Sequence, residues 1–130
     1  MKPLESEIIR YSYKLIDLPQ SSFKHFSFLV RRNKIIEIGW NHSFKSNPIN
    51  IKFKYRWAQG IHAEAQMVLS SRMMYRDEYH RMRVYNVRIN NEGAIAIAAP
   101  CPPCQTLLYS HDLVDVMYTD KDGKFHKFYF

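Results

Sequence analysis

Pro100-Cys101-Pro102-Pro103-Cys104, taken together with His62-Ala63-Glu64 upstream of it, decides the fold of this chain. Cys101 and Cys104 stand at i and i+3, so on a helix both sulfurs lie on one face and reach a single ion. Pro102 and Pro103 suit a first helical turn, because the leading N–H groups of a helix have no partner within it. The cysteines then sit at a helix N-terminus, where the positive end of the dipole favours the thiolates that zinc requires. Two thiolates leave a tetrahedral catalytic zinc, with one position open to water, a single protein ligand short, and His62 is the natural third. On a mid-helix surface His62 and Glu64 would point about 200° apart, so they converge only where a helix begins. Gly60, just upstream, suits such a start. Glu64 is then placed beside the open position to accept a proton from water without being a ligand.

Outward from these motifs the chain alternates helices and strands. Pro3 opens a helix whose apolar face is Leu4, Ile8, Tyr11, Leu15 and Leu18, and Pro19 stops it. Ser27 to Val30 and Lys34 to Gly39 are apolar runs of strand length around Arg31-Arg32-Asn33, which suits a hairpin turn. Residues 41 to 60 form a connection long enough to be functional, with Ile51, Phe53, Tyr55 and Trp57 alternating with Lys52, Lys54 and Arg56. Ala63 to about Met74 favours helix, Arg83 to Ile89 strand, and Asn90-Asn91-Glu92-Gly93 a turn. The small residues Ala94 to Ala99 lead to Pro100, and Cys101 to about Ser110 is a short helix. Val114 to Tyr118 and Lys124 to Tyr129 are strand-like and joined through Asp122-Gly123, a strong hairpin signal. The order α-β-β-α-β-α-β-β makes a layered α/β domain around one mixed sheet.

At 130 residues and 46% hydrophobic content the chain is expected to close one core as a single domain, residues 1–130. No apolar run approaches the roughly 18 to 20 residues of a membrane span, and Met1-Lys2-Pro3-Leu4-Glu5 lacks a signal-peptide core. No membrane partner and a cytoplasmic location are therefore expected. Two cysteines three apart suit a metal or a redox pair rather than a staple between distant segments. A net charge of +7 favours polyanionic or phosphorylated partners without naming one.

The two motifs together resemble the H-x-E and P-C-x-x-C signature of the zinc-dependent cytidine/deoxycytidylate deaminase superfamily. The resemblance spans roughly Phe26 to Tyr129, and from Ser46-Asn47-Pro48 through Gln105 the chain is similar to small deaminase-like proteins of bacteriophages. It implies a three-layer α/β fold, with a central mixed five-stranded sheet, helices on its faces and the last two strands antiparallel. It also implies hydrolytic replacement of an amine by a carbonyl: Zn2+ held by His62, Cys101 and Cys104, and Glu64 moving protons from water to the ring nitrogen and the departing ammonia. Asn41, in a Gly39-Trp40-Asn41 context similar to the family's G-x-N, is expected to hold base or sugar. Ala63, Trp57 and Pro100 complete the candidate substrate-binding residues. The short final hairpin resembles the cytidine and blasticidin deaminase division, whereas Gly39-Trp40-Asn41 resembles the tRNA adenosine and deoxycytidylate branches; topology weighs more. Related enzymes are often homo-oligomers.

Other readings remain open on the sequence alone. Cys101 and Cys104 could form a thioredoxin-like redox pair, which leaves His62-Ala63-Glu64 without a purpose. His42, His80 or His111 could complete a purely structural zinc site. Asn41 also suits a turn after a strand, and His25 and His126 suit surface or packed positions. Arg72, Arg76, Arg81, Arg83 and Arg88 are most simply a solvated basic surface. Phe128-Tyr129-Phe130 suits a sheet edge or core, although C-terminal aromatics close the active site in some family members. Cytosine in a nucleoside or nucleotide is the leading substrate. Single-stranded DNA or RNA is the alternative, favoured by the basic charge and residues 51–57, and a non-catalytic nucleotide-binding scaffold is the third.

Overall fold

The computed structural model describes residues 1–19, 21–42 and 62–130. In chain order the elements are α1 (Pro3–Lys14), β1 (Lys24–Arg31), β2 (Lys34–Trp40), α2 (Ala63–Tyr75), a 3-10 helix (Arg76–Arg81), β3 (Arg83–Ile89), β4 (Ile95–Ala96), α3 (Pro102–Ser110), β5 (Val116–Thr119) and β6 (Phe125–Phe128). The strands form one mixed sheet in the order β2-β1-β3-β5-β6, and β4 pairs with the end of β3. β1 is antiparallel to β2 and β3, β3 and β5 are parallel, and β5 and β6 close as an antiparallel hairpin.

The alternation of β1 and β3 sorts their side chains onto two faces. Phe26, Phe28 and Val30 with Tyr85, Val87 and Ile89 form a core with Ile8 of α1. On the opposite face Leu29, Val84 and Val116 pack with Ala65, Met67 and Val68 of α2 and Leu107 and Leu108 of α3. Period-2 patterning thus produces three layers, α1, the sheet, and α2 with α3. The β1–β2 turn is tight, with Arg32 at φ 52 and Asn33 at φ 64; the left-handed pair matches the twist of a two-residue hairpin.

Three boundaries differ from the sequence expectation. The sheet has six strands rather than five, because Asn90 accepts hydrogen bonds from the N–H groups of Glu92 and Ala94 through Oδ1 and, with Gly93 at φ 80, reverses the chain. Ile95 and Ala96 then pair with Ile89 and Arg88. Helix α1 ends at Lys14, short of Pro19, and Leu18 is 42% exposed. The residue before a proline is disfavoured in the α region, and the chain here has already tightened into a turn in which Leu18 N–H donates to the Leu15 carbonyl at 3.0 Å. Finally, the charged stretch before β3 is a 3-10 helix that buries Tyr79. Among the described residues, no helix is long and apolar enough to cross a membrane.

Candidate active site

Two helix starts carry the metal-capable side chains. His62 is the N-cap of α2 (φ −76, ψ 154), and Cys101 is the N-cap of α3 (φ −71, ψ 164). Their carbonyls accept the first intrahelical bonds, from Gln66 N–H at 3.0 Å and Gln105 N–H at 2.8 Å. Extended backbone at each N-cap frees its side chain from the helical surface that follows, so His62 and Glu64 converge despite their two-residue spacing.

His62 Nδ1 lies 3.4 Å from Cys101 Sγ and 3.3 Å from Cys104 Sγ, and the three donor atoms fall within 4.8 Å of one another. One nitrogen and two sulfurs in this proximity fit zinc, whose bonds run about 2.0–2.3 Å. Among the described residues no other group could hold a metal ion. His42 contacts Gln66 at 2.9 Å, His111 contacts the Leu107 carbonyl at 2.8 Å, and His80 is exposed. None of these joins the group as a fourth ligand. The Cys101 thiol is drawn down to about 4, chiefly by its hydrogen bond with Cys104 and, against burial, by His62. Cys104, the other member of that bond and buried, is held well above the ordinary thiol value. His62 is raised by its hydrogen bond to Cys101, with burial opposing. The cluster therefore already favours one thiolate, and a metal ion bound there would displace the remaining protons.

Glu64 is fully buried. Its Oε2 accepts a hydrogen bond from Asn86 Nδ2 at 3.0 Å, and Asn86 Oδ1 in turn accepts from the Ser27 hydroxyl. Its Oε1 has no hydrogen-bond partner and lies 3.9 Å from His25 Nε2, also buried without one. Burial pushes the His25 imidazole down, with Glu64 opposing and Arg88 reinforcing. A buried carboxylate oxygen without a partner is costly, and Glu64 is one of the residues that line a cavity.

That cavity, about 230 Å³, is lined by Phe23, His25, Asn41, His62, Glu64, Arg88, Ile97, Ala98, Ala99 and Cys101. Opposed β1–β3 pairs build its wall. Leu29 and Val84 lie in the core, Ser27 opposes Asn86 beneath Glu64, and His25 opposes Arg88 in the cavity. Asn41 lines the cavity, but its side chain is engaged locally: Oδ1 accepts from His25 N–H and Nδ2 donates to the Phe23 carbonyl, each at 2.9 Å. Ala63 and Pro100 are buried outside the lining; the Pro100 carbonyl accepts from Gln105 Nε2 at 2.9 Å. Trp57, with the 51–57 alternation and Gly60, lies outside the described residues.

His25, Asn86, Phe23 and Arg88 were not legible as site residues from local sequence. His25 and Arg88 both line the cavity. Their signal is joint: Ser27 and His25 in β1, Asn86 and Arg88 in β3, are polar interruptions of apolar strands, and only antiparallel pairing aligns them.

No protein-family model matches the chain, and no curated protein matches it. Solved structures do. A cytidine deaminase from Burkholderia pseudomallei superposes with a TM-score of 0.64 at 16% identity, over 99% of this chain and 93% of the other. A dCMP deaminase from the cyanophage S-TIM5 gives 0.58 at 18% identity, over 95% and 89%. A cytidine deaminase from Mycobacterium leprae gives 0.54 at 16% identity, over 91% and 87%. With its two helix-start motifs side by side and its antiparallel final hairpin, the chain has the fold of the cytidine and deoxycytidylate deaminases.

Proposed function

We propose that this chain is a zinc-dependent hydrolase that deaminates cytosine in a nucleoside or nucleotide. The observation that carries the proposal is the buried Glu64, its Oε1 without a hydrogen-bond partner, lining the same small cavity as His62 and Cys101. A structural site has no need of such an atom, whereas a general base must be free to receive a proton. His62, Cys101 and Cys104 would hold zinc, which supplies Lewis-acid activation of water at neutral pH.

The remaining work belongs to the side chains. Glu64, steadied through Oε2 by Asn86, takes the proton from the attacking water with Oε1. It passes that proton to the ring nitrogen as the nucleophile adds to the amine-bearing carbon, and then assists ammonia's departure, leaving a carbonyl. Ile97, Ala98 and Ala99 give the cavity an apolar side against which a flat base can lie.

The test incubates zinc-loaded protein and a Glu64→Ala control with nucleosides, nucleotides and single-stranded oligonucleotides, reading ammonia and product mass. Ammonia release that depends on Glu64 is the expected result. No such release from any member of the panel would overturn the reading.

A further inference from the structure

We propose that Arg88 is a phosphate-binding residue, so that the substrate is a nucleoside monophosphate rather than a free nucleoside. The inference rests on the deaminase reading for the identity of the base, and on separate observations for the anion.

Arg88 directly opposes His25 in the β1–β3 register, and both line the cavity that holds Glu64 and His62. Opposed residues on one face of an antiparallel pair have side chains about 5 Å apart at their bases. The His25–Arg88 pair therefore lies one same-face step along the strands from the buried Ser27–Asn86 pair, and Arg88 brings its charge to the cavity lining.

Arg31 pairs with Glu78 at 3.3 Å and Arg83 with Asp115 at 2.9 Å, but among the described residues the charge on Arg88 has no carboxylate to neutralise it. Its partner is instead the ring of Phe23, 4.2 Å from Cζ to the centroid. A guanidinium held over a ring by a cation–π contact keeps its N–H groups available for an anion, and a guanidinium binds phosphate in a bidentate manner. Phe23, 43% exposed beside this cation, is an amphipathic rim rather than core.

The cavity, about 230 Å³, lies below the roughly 300–1,000 Å³ of pockets that enclose a drug-sized ligand, so it takes the base and leaves the rest of the substrate at the rim. A base at Glu64 with its 5′ substituent directed outward brings a phosphate to the rim, where Arg88 waits. A phosphodiester presents the same chemistry, so the experiment must separate the two sources.

The experiment compares kcat/KM of the zinc-loaded protein on deoxycytidine, its 5′-monophosphate and a cytosine-containing single-stranded oligonucleotide, with Arg88→Gln and Arg88→Lys alongside. A parallel arm measures binding of the monophosphate and the nucleoside to Glu64→Gln protein by calorimetry. In the unsubstituted enzyme the monophosphate is preferred over the nucleoside by about 10- to 100-fold, the value of a charge-assisted contact. Arg88→Gln collapses that ratio, mainly through KM, and Arg88→Lys restores part of it. Equal use of nucleoside and monophosphate, preference for the oligonucleotide, or a ratio unmoved by Arg88→Gln overturns the proposal. If no substrate turns over, the deaminase reading fails by itself. The calorimetric arm still decides the phosphate site, since Arg88→Gln must then weaken monophosphate binding alone.

Discussion

Asn86 Nδ2 donates to Glu64 Oε2 at 3.0 Å, and Oε1 of the same carboxylate is left without a hydrogen-bond partner. The donor comes from the middle strand of the sheet, the acceptor from the second residue of α2, and both are fully buried. Ser27 fixes the amide in turn by donating to Asn86 Oδ1, so the amide's orientation is set from both sides. Replacing Asn86 by Ala frees Glu64 to rotate and leaves a buried acceptor unmatched. The expected loss is about 10- to 100-fold in kcat, with a smaller effect on KM, corresponding to one hydrogen bond to a charged group. Steady-state kinetics beside a zinc assay checks this, because zinc content should stay at the unsubstituted level.

Glu64→Gln tests the proton transfer with shape kept. The glutamine can still occupy the space beneath the cavity, but it cannot take a proton from water. Turnover should fall by about 10²–10⁴, the range for removing a positioned general acid–base. Circular dichroism and bound zinc should match the unsubstituted protein, and a variant that keeps more than a tenth of its rate would remove Glu64 from the chemistry.

The ligand set makes its own prediction through stability. His62 caps α2 and Cys101 caps α3, so a shared ion would tie two helix starts that are far apart in sequence. At zinc about a thousandfold above its dissociation constant, binding adds about 4 kcal/mol to the folded state. Removing metal with a chelator should lower the melting temperature, and zinc should restore it. Cys101→Ala and Cys104→Ala should abolish the zinc-dependent shift. A melting temperature indifferent to zinc would show that these residues do not hold it.

Much of this was legible in the sequence, for a physical reason. His62, Glu64, Cys101 and Cys104 lie within two short segments whose spacing, with Gly60 before the first and Pro102 and Pro103 in the second, points to helix starts, so local geometry was enough to bring each pair together. The final hairpin was equally local, announced by Asp122-Gly123, with Gly123 at φ 81. The cavity wall was not. His25 and Arg88 meet through pairing between strands 63 residues apart, and Ser27, Asn86 and Glu64 are joined across three elements. Each of these residues has an ordinary neighbourhood in sequence. Asn41 carries both of its sequence readings into the structure, since its side chain ties the start of β1 to the end of β2 while the residue also lines the cavity. β4 escaped notice because two residues are too few to show a period.

The hairpin that closes the sheet carries a pH signature. Asp120 Oδ2 lies 2.6 Å from His126 Nε2, while Oδ1 accepts from the N–H groups of Asp122 and Lys124. These contacts, His126 first, lower the Asp120 carboxyl from 3.8 to about 2. A carboxyl whose folded value is depressed stabilises the fold above its unfolded value and ceases to do so as pH falls through the folded one. The contribution is therefore complete above about pH 5, mostly lost as pH falls to the folded value of about 2, and gone by about pH 1. Asp120→Asn should melt below the unsubstituted protein at pH 6, and the difference should shrink as pH falls toward about 2 and vanish below it. Because Asp120 is at the surface, salt should shrink the difference at pH 6.

Gly39 is the backbone position on which the whole site depends. A Cβ built there would lie 2.2 Å from the Ala63 carbonyl oxygen and 2.6 Å from Met67 N. Both are main-chain atoms of α2, so no side-chain rotation relieves the clash. The absence of a side chain lets β2 lie directly against the first turns of the helix that carries His62 and Glu64. Trp40 N–H donates to Gln66 Oε1 at 3.3 Å across the same contact. Gly39→Ala must push α2 off the sheet, at a cost of about 1–3 kcal/mol for an overpacked core. The displacement reaches the site through rigid backbone, moving His62 relative to Cys101 and Cys104 and lifting Glu64 from Asn86. Chemical denaturation should show the stability loss, and zinc titration should show weakened affinity in the same variant. A Gly39→Ala protein that loses stability but binds zinc as tightly as before would mean that the site is positioned independently of β2.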